Sequence, residues 1–157
     1  MAAIQTQLRD GAYDKIVESL GTYAATNIQV EKTFFPTENL EDLDDPKIKL
    51  VAKGISSDRT RELRSTTYIQ MIVPVEVAIQ QRVDPNDTTT IDRLVETSEQ
   101  VMASLEDDEL VTGEVYSWAR TEPLRDENGN IYSYEQLKVE NVFQVIFTAF
   151  YTYIKQV

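Results

Sequence analysis

Between Tyr68 and Val83 the sequence YIQMIVPVEVAIQQRV sets Ile69, Met71, Val73, Val75, Val77 and Ile79 on one side of an extended chain. Gln70, Glu76 and Gln80 fall on the other side. Side chains of a strand alternate between two faces, so this period of two predicts a long β-strand with one face buried. Such a strand needs partners along its length and a layer over its apolar face, which restricts the chain to sheet-containing folds. Pro74 has no N–H to give to a ladder. It therefore predicts an edge position, a bulge or a gap in pairing at that point.

Other segments supply the layer. Ile4, Leu8, Ala12, Ile16 and Leu20 recur at four-residue steps, which predicts a helix from about Ala3 to Leu20, stopped at Gly21. After DPNDTTT at 84–90, where Asp87, Thr88 or Thr89 can cap a helix, Ile91, Leu94, Val95, Ser98, Val101, Met102 and Leu105 keep the spacing of one buried face. Residues 27–35 and 47–55 read as strands. In the second, Ile48, Leu50 and Ala52 alternate with Lys47, Lys49, Val51 and Lys53, which predicts a basic outward face. Leu110 to Trp118 reads as strand or irregular, one or two weak strands at most. The segment 139–154 alternates Phe143, Val145, Phe147, Ala149, Tyr151 and Tyr153 with Gln144, Ile146, Thr148, Phe150 and Thr152. Both of its faces are partly apolar, so it is expected to be covered on both sides, by the domain's helices or by a neighbouring chain.

Together these elements predict one α+β domain over 1–157: an antiparallel or mixed sheet with two main helices packed on one face, and long loops at about 37–46, 56–66 and 122–133. A chain of 157 residues buries enough surface to hold a core without metal or disulfide.

Composition narrows the function. Neither cysteine nor histidine is present, which removes thiolate and imidazole metal sites, cysteine nucleophiles and every Ser-His or Cys-His arrangement. No catalytic, cofactor-binding or metal-binding set is expected, and the chain does not read as an enzyme. The formal net charge of −12 opposes a nonspecific grip on nucleic acid, which needs cations against phosphates. No apolar run reaches the ~20 residues of a membrane span, and the start has no signal-peptide pattern.

Two acidic stretches could suggest calcium. TENLEDLDDP at 37–46 lacks ligand spacing and reads as a solvated loop. In RDENGNIYSYE at 125–135, Ile131 stands where a calcium loop needs glycine and Leu137 where it needs glutamate. Asn128-Gly129 there reads as a turn with hairpin character.

An arginine-bearing loop leading into YIQMIVPVEVAIQQRV, a short turn, the helix TIDRLVETSEQVMASL and the closing strand FQVIFTAFYTY resemble the tail terminator and tail-completion proteins of tailed bacteriophages. The resemblance spans about 59–153 and rests on the order and length of elements. It implies a structural virion protein at the tail or head-tail junction, assembled in the host cytoplasm. The implied partners are copies of itself in a ring, commonly a hexamer, with the tail tube protein and the head or neck connector; DNA passes through without specific binding. Alternatives are a head-tail adaptor, neck or other tail subunit of the same fold, and, further off, a non-viral binding module or a histidine-free enzyme.

A closed ring joins two different patches on each subunit. The candidate patches are the basic loop with Arg59, Arg61 and Arg64 and the acidic loop with Glu41, Asp42, Asp44 and Asp45, the one meeting the other on the neighbouring copy and setting register. Reversing the charge of all three arginines is expected to abolish assembly; a variant that assembles as before would remove this contact.

Overall fold

The computed structural model describes residues 3–21, 28–33, 46–54, 56–58, 68–106, 109–112 and 115–156. In chain order the elements are α1 (Ile4–Gly21), β1 (Gln29–Lys32), β2 (Lys47–Ala52), β3 (Ser56–Asp58), β4 (Tyr68–Arg82), α2 (Thr88–Leu105), β5 (Glu109–Thr112), β6 (Val115–Pro123), α3 (Tyr134–Glu140) and β7 (Val142–Gln156). The fold is α+β. All seven strands join one sheet in the order β1-β2-β4-β7-β6-β5, with β3 also on β4. β1 and β2 run parallel and every other pair is antiparallel, so the sheet is mixed.

The two long alternating segments pair with each other. β4 and β7 lie side by side over fifteen residues each, in a register that runs from Tyr68 opposite Gln156 to Arg82 opposite Val142. That register places Val73, Val75, Val77 and Ile79 beside Tyr151, Ala149, Phe147 and Val145, and all eight are essentially inaccessible to solvent. Ile48 and Leu50 of β2 join the same face opposite Ile79 and Val77.

Over this face lie α1 and α2. Leu8, Ala12 and Ile16 of α1 and Ile91, Leu94, Val101 and Leu105 of α2 close the core. α2 starts where Asp87 accepts from the Thr90 backbone N–H (3.2 Å) and hydroxyl (2.7 Å), which satisfies helix-start donors and holds the Asp87 carboxyl below its ordinary value. Inside it, the buried Ser98 hydroxyl donates to the Leu94 carbonyl, so its burial carries no unmet donor.

Pro74 lies opposite Phe150 within the β4–β7 ladder. On its other side β2 ends at Ala52 opposite Val75, and β3 begins at Ser56 opposite Ile72. The Lys53 N–H donates to the Pro74 carbonyl (2.9 Å), and the return bond is the one proline cannot make. The gap in pairing thus sits where the neighbouring chain passes from one short strand to the next.

Several expectations change. Residues 56–58, assigned to a loop, form β3. The one or two weak strands expected near 110–118 are an antiparallel pair, β5 and β6, and β6 extends through Glu122 and Pro123 into the third expected loop. The closing strand begins at Val142, since 134–140 form α3: Ser133 caps its start and Asn141, at φ 56°, ends it in the left-handed region. Leu137 anchors α3 to the core. The outward face of β2 is not simply basic and exposed. Lys49 is buried, 5% exposed, with its ammonium 3.8 Å from Glu31.

The helices cover one face of the sheet, so substitutions on alternate positions of β7 should separate cleanly. Phe147→Ala is expected to destabilise the fold by about 3–5 kcal/mol through lost burial and a cavity. Thr148→Ala, one residue on and facing away from the helices, should change stability by less than about 1 kcal/mol. Urea unfolding of the two variants measures the difference.

Candidate functional site

The helices do not cover the second face of β7, which is expected to be covered by them or by a neighbouring chain. Its residues Gln144, Ile146, Thr148, Phe150 and Thr152 are only half-buried, and Ile154 is 47% exposed. The ladder makes neighbours of side chains from three strands. Trp118, Thr152 and Ile72 form one row across β6, β7 and β4. Arg120, Phe150 and Pro74 form the next, and Glu122, Thr148 and Glu76 the one after. Leu124 prolongs β6 by donating its N–H to the Ile146 carbonyl (2.8 Å), which sets a fourth row.

Between these rows runs a groove of about 600 Å³ whose floor includes Ile72 and Phe150 and whose wall is Trp118, Arg120 and Glu122. Trp118 is 39% exposed and Leu124 66%. Neither Arg120 nor Glu122 has an ion-pair partner among the described residues. Tryptophan, phenylalanine, isoleucine and arginine on a flat, half-wet surface are the residue types that anchor protein contacts. Toward β2 the face closes over: Ala78 and Gln80 are buried, and the Gln80 amide donates to Gln144 across the ladder (2.6 Å).

A smaller recess of about 180 Å³ adjoins the far end, between Leu124, Tyr132 and Ile146. Its rim is the Asn128-Gly129 turn, where Gly129 has φ 81°. Asp126 organises this turn by accepting from the N–H groups of Asn130 (2.9 Å), Asn128 (2.9 Å) and Tyr134 (3.4 Å). The Asn130 N–H foremost, with those of Asn128 and Tyr134, holds the Asp126 carboxyl below its ordinary 3.8. A carboxylate used in this way serves as a turn nucleus, which agrees with the turn reading of 125–135. Burial lifts the Tyr132 hydroxyl above its ordinary value, with Tyr134 and Asp126 adding to the rise.

The outer edge of the sheet is less available than the face. β5 covers β6 only as far as Trp118. Beyond it the Thr121 N–H is taken by the Glu106 carboxylate (2.8 Å), which also accepts the Thr121 hydroxyl, and two residues on Pro123 has no N–H to offer. An edge blocked in this way does not template another strand.

Arg59, Arg61 and Arg64, and Glu41, Asp42, Asp44 and Asp45, lie outside the described residues. Sequence reasoning missed Trp118, Arg120, Glu122 and Leu124. Their signal was a period of two through 118–124, hidden because the outward positions mix apolar and charged types. Among the described residues no group of three or more acidic side chains is placed to hold a metal ion, and no helix is long and apolar enough to cross a membrane.

No protein-family model matches the chain, and no curated protein is similar to it.

The Asp126 carboxyl is depressed in the folded chain, so its contribution to turn order is complete above its unfolded value near 3.8 and is lost as pH falls through the lower folded value. Amide protection at Asn128, Asn130 and Tyr134, taken relative to intrinsic exchange, is therefore expected to hold above the unfolded value and to fall, ahead of the β4–β7 core, as pH drops through the lower folded value. Asp126→Ala should remove that protection at every pH.

Proposed function

We propose that this chain is a structural subunit of a tailed-phage tail terminator, closing into a ring that caps the tail tube and joins it to the head or neck. The reading draws on the resemblance of residues 59–153 to that family. The arrangement of those residues is compatible with it: β4 and β7 form the central pair, and α2, which follows β4 in the chain, packs on their shared face with α1. The observation that carries it is this order and packing of elements, and the one-sided sheet adds a surface through which such a subunit can meet others. A domain that sheathes one face of its sheet and leaves Trp118, Phe150 and Ile154 on the other is built to be completed by contact.

Charge supports the same reading. A net charge of −12 keeps subunits soluble before assembly and lets DNA pass a ring without being held. The acidic residues on the described surface include Asp92, Glu96 and Glu99 along the outer side of α2.

Native mass spectrometry with negative-stain imaging of the purified chain, alone and with isolated tail tubes, is the test. A closed ring of about six copies, as cyclic symmetry allows, free or on the tube end, is the expected result. A chain that forms no ring and does not bind tube ends overturns the proposal.

A further inference from the structure

We propose that the open face of the sheet binds the same face of a second copy of this chain, about a twofold axis that crosses β6 at Thr121. The outward side chains of β6 and its extension are, in order, Trp118, Arg120, Glu122 and Leu124. The order is apolar, cationic, anionic, apolar. Laid antiparallel on itself, this row is its own complement: Trp118 meets Leu124 of the second copy, and Arg120 meets Glu122, each twice. Successive side chains on one face of a strand are about 6.8 Å apart, so all four contacts share one register.

The neighbouring strand keeps the match. The operation that pairs the charges also lays Thr152 over Ile146, Phe150 over Thr148 and Ile72 over Ala78, so the row of Trp118 and Ile72 covers the row of Leu124 and Ile146. Two twisted sheets stacked in this way cross at about 30°, with side chains from both filling the space between.

A second copy fits better than a partner of opposite charge. The chain carries −12 overall, yet the charges around the groove balance, Arg120 with Glu122 on β6 and Glu76 of β4 with Lys53 at 3.5 Å. Two acidic copies can therefore meet here without like charges facing each other, whereas a basic partner would find its counter-charges on α2. The blocked edge of β6 leaves the face as the route of approach. From Gln144 to Ile154 across β4, β7 and β6 the surface measures about 37 Å by 14 Å before side-chain relief is counted. That is at the small end of specific interfaces, which bury about 800 Å² per partner, so the dimer should depend on concentration.

The contact is isologous and does not rest on the ring reading, because a closed ring needs a heterologous contact as well. If both form, rings pair face to face.

Trp118 is the chain's one tryptophan, so its fluorescence reports this face directly. With rising concentration, sedimentation velocity should show association by pairs while Trp118 emission moves to shorter wavelength. Arg120→Glu and Glu122→Arg should each weaken pairing about tenfold or more, since each sets like charges against each other. An equimolar mixture of the two variants should recover it, as should the double exchange Arg120→Glu/Glu122→Arg, all with the wild-type circular dichroism spectrum. A wild type that never pairs, pairing that leaves Trp118 emission unchanged, or a mixture that fails to recover overturns the proposal. If rings are present, the variants should halve the particle and leave the ring; a variant that keeps its pairs overturns the proposal, whereas a wild type that pairs without forming rings counts against the ring reading alone.

Discussion

The fifteen-residue antiparallel pairing of β4 with β7 is the constraint on which the rest of the molecule depends. Each strand alternates, and a shift of register by one residue would turn one of the two apolar sets away from the core. With the observed register, eight inaccessible side chains from two strands form a single apolar strip. α1 lies against β2 and β4 and α2 against β7 and β6, so the flanking strands widen the strip to seat both helices. Pro74 is tolerated in the middle of this pair because its missing donor faces the break between β2 and β3 and not β7.

The same register creates the second face. Once odd-numbered positions of β4 and β7 turn toward the helices, Ile72, Pro74, Ile146, Phe150 and Ile154 must share the opposite side, and β6 adds Trp118, Arg120 and Glu122 to it. The edge beside them is closed by a carboxylate and a proline, while the face stays open. Along this stretch of β6, contact through side chains is thereby favoured over strand addition.

Much of this was legible in the sequence. The β4 pattern, the α1 stripe and the α2 face are strongly periodic, and each stands in the structure within a few residues of its expected bounds. The Asn128-Gly129 turn was also readable, since glycine alone fits φ 81° without strain. β3 was not, because three polar residues carry no apolar alternation. α3 was not either: its seven residues bury only Leu137, too little for a helical period to show. The outward positions of β7 hold Ile146 and Phe150 and predict cover by helices or by a neighbouring chain; local pattern cannot tell which, and the fold shows that the helices do not supply it.

What the sequence determined by itself was the set of elements with long uninterrupted periods, together with the lack of thiol and imidazole groups and the net charge of −12. Those depend on near neighbours in the chain, or on composition alone. Only the tertiary structure decided which strands meet, that both helices lie on one side, and that Trp118, Phe150 and Ile72 from three strands share a groove. Each of these depends on contacts between residues far apart in sequence. Their energy comes from burying a strip that no single segment possesses, so no segment on its own can announce it.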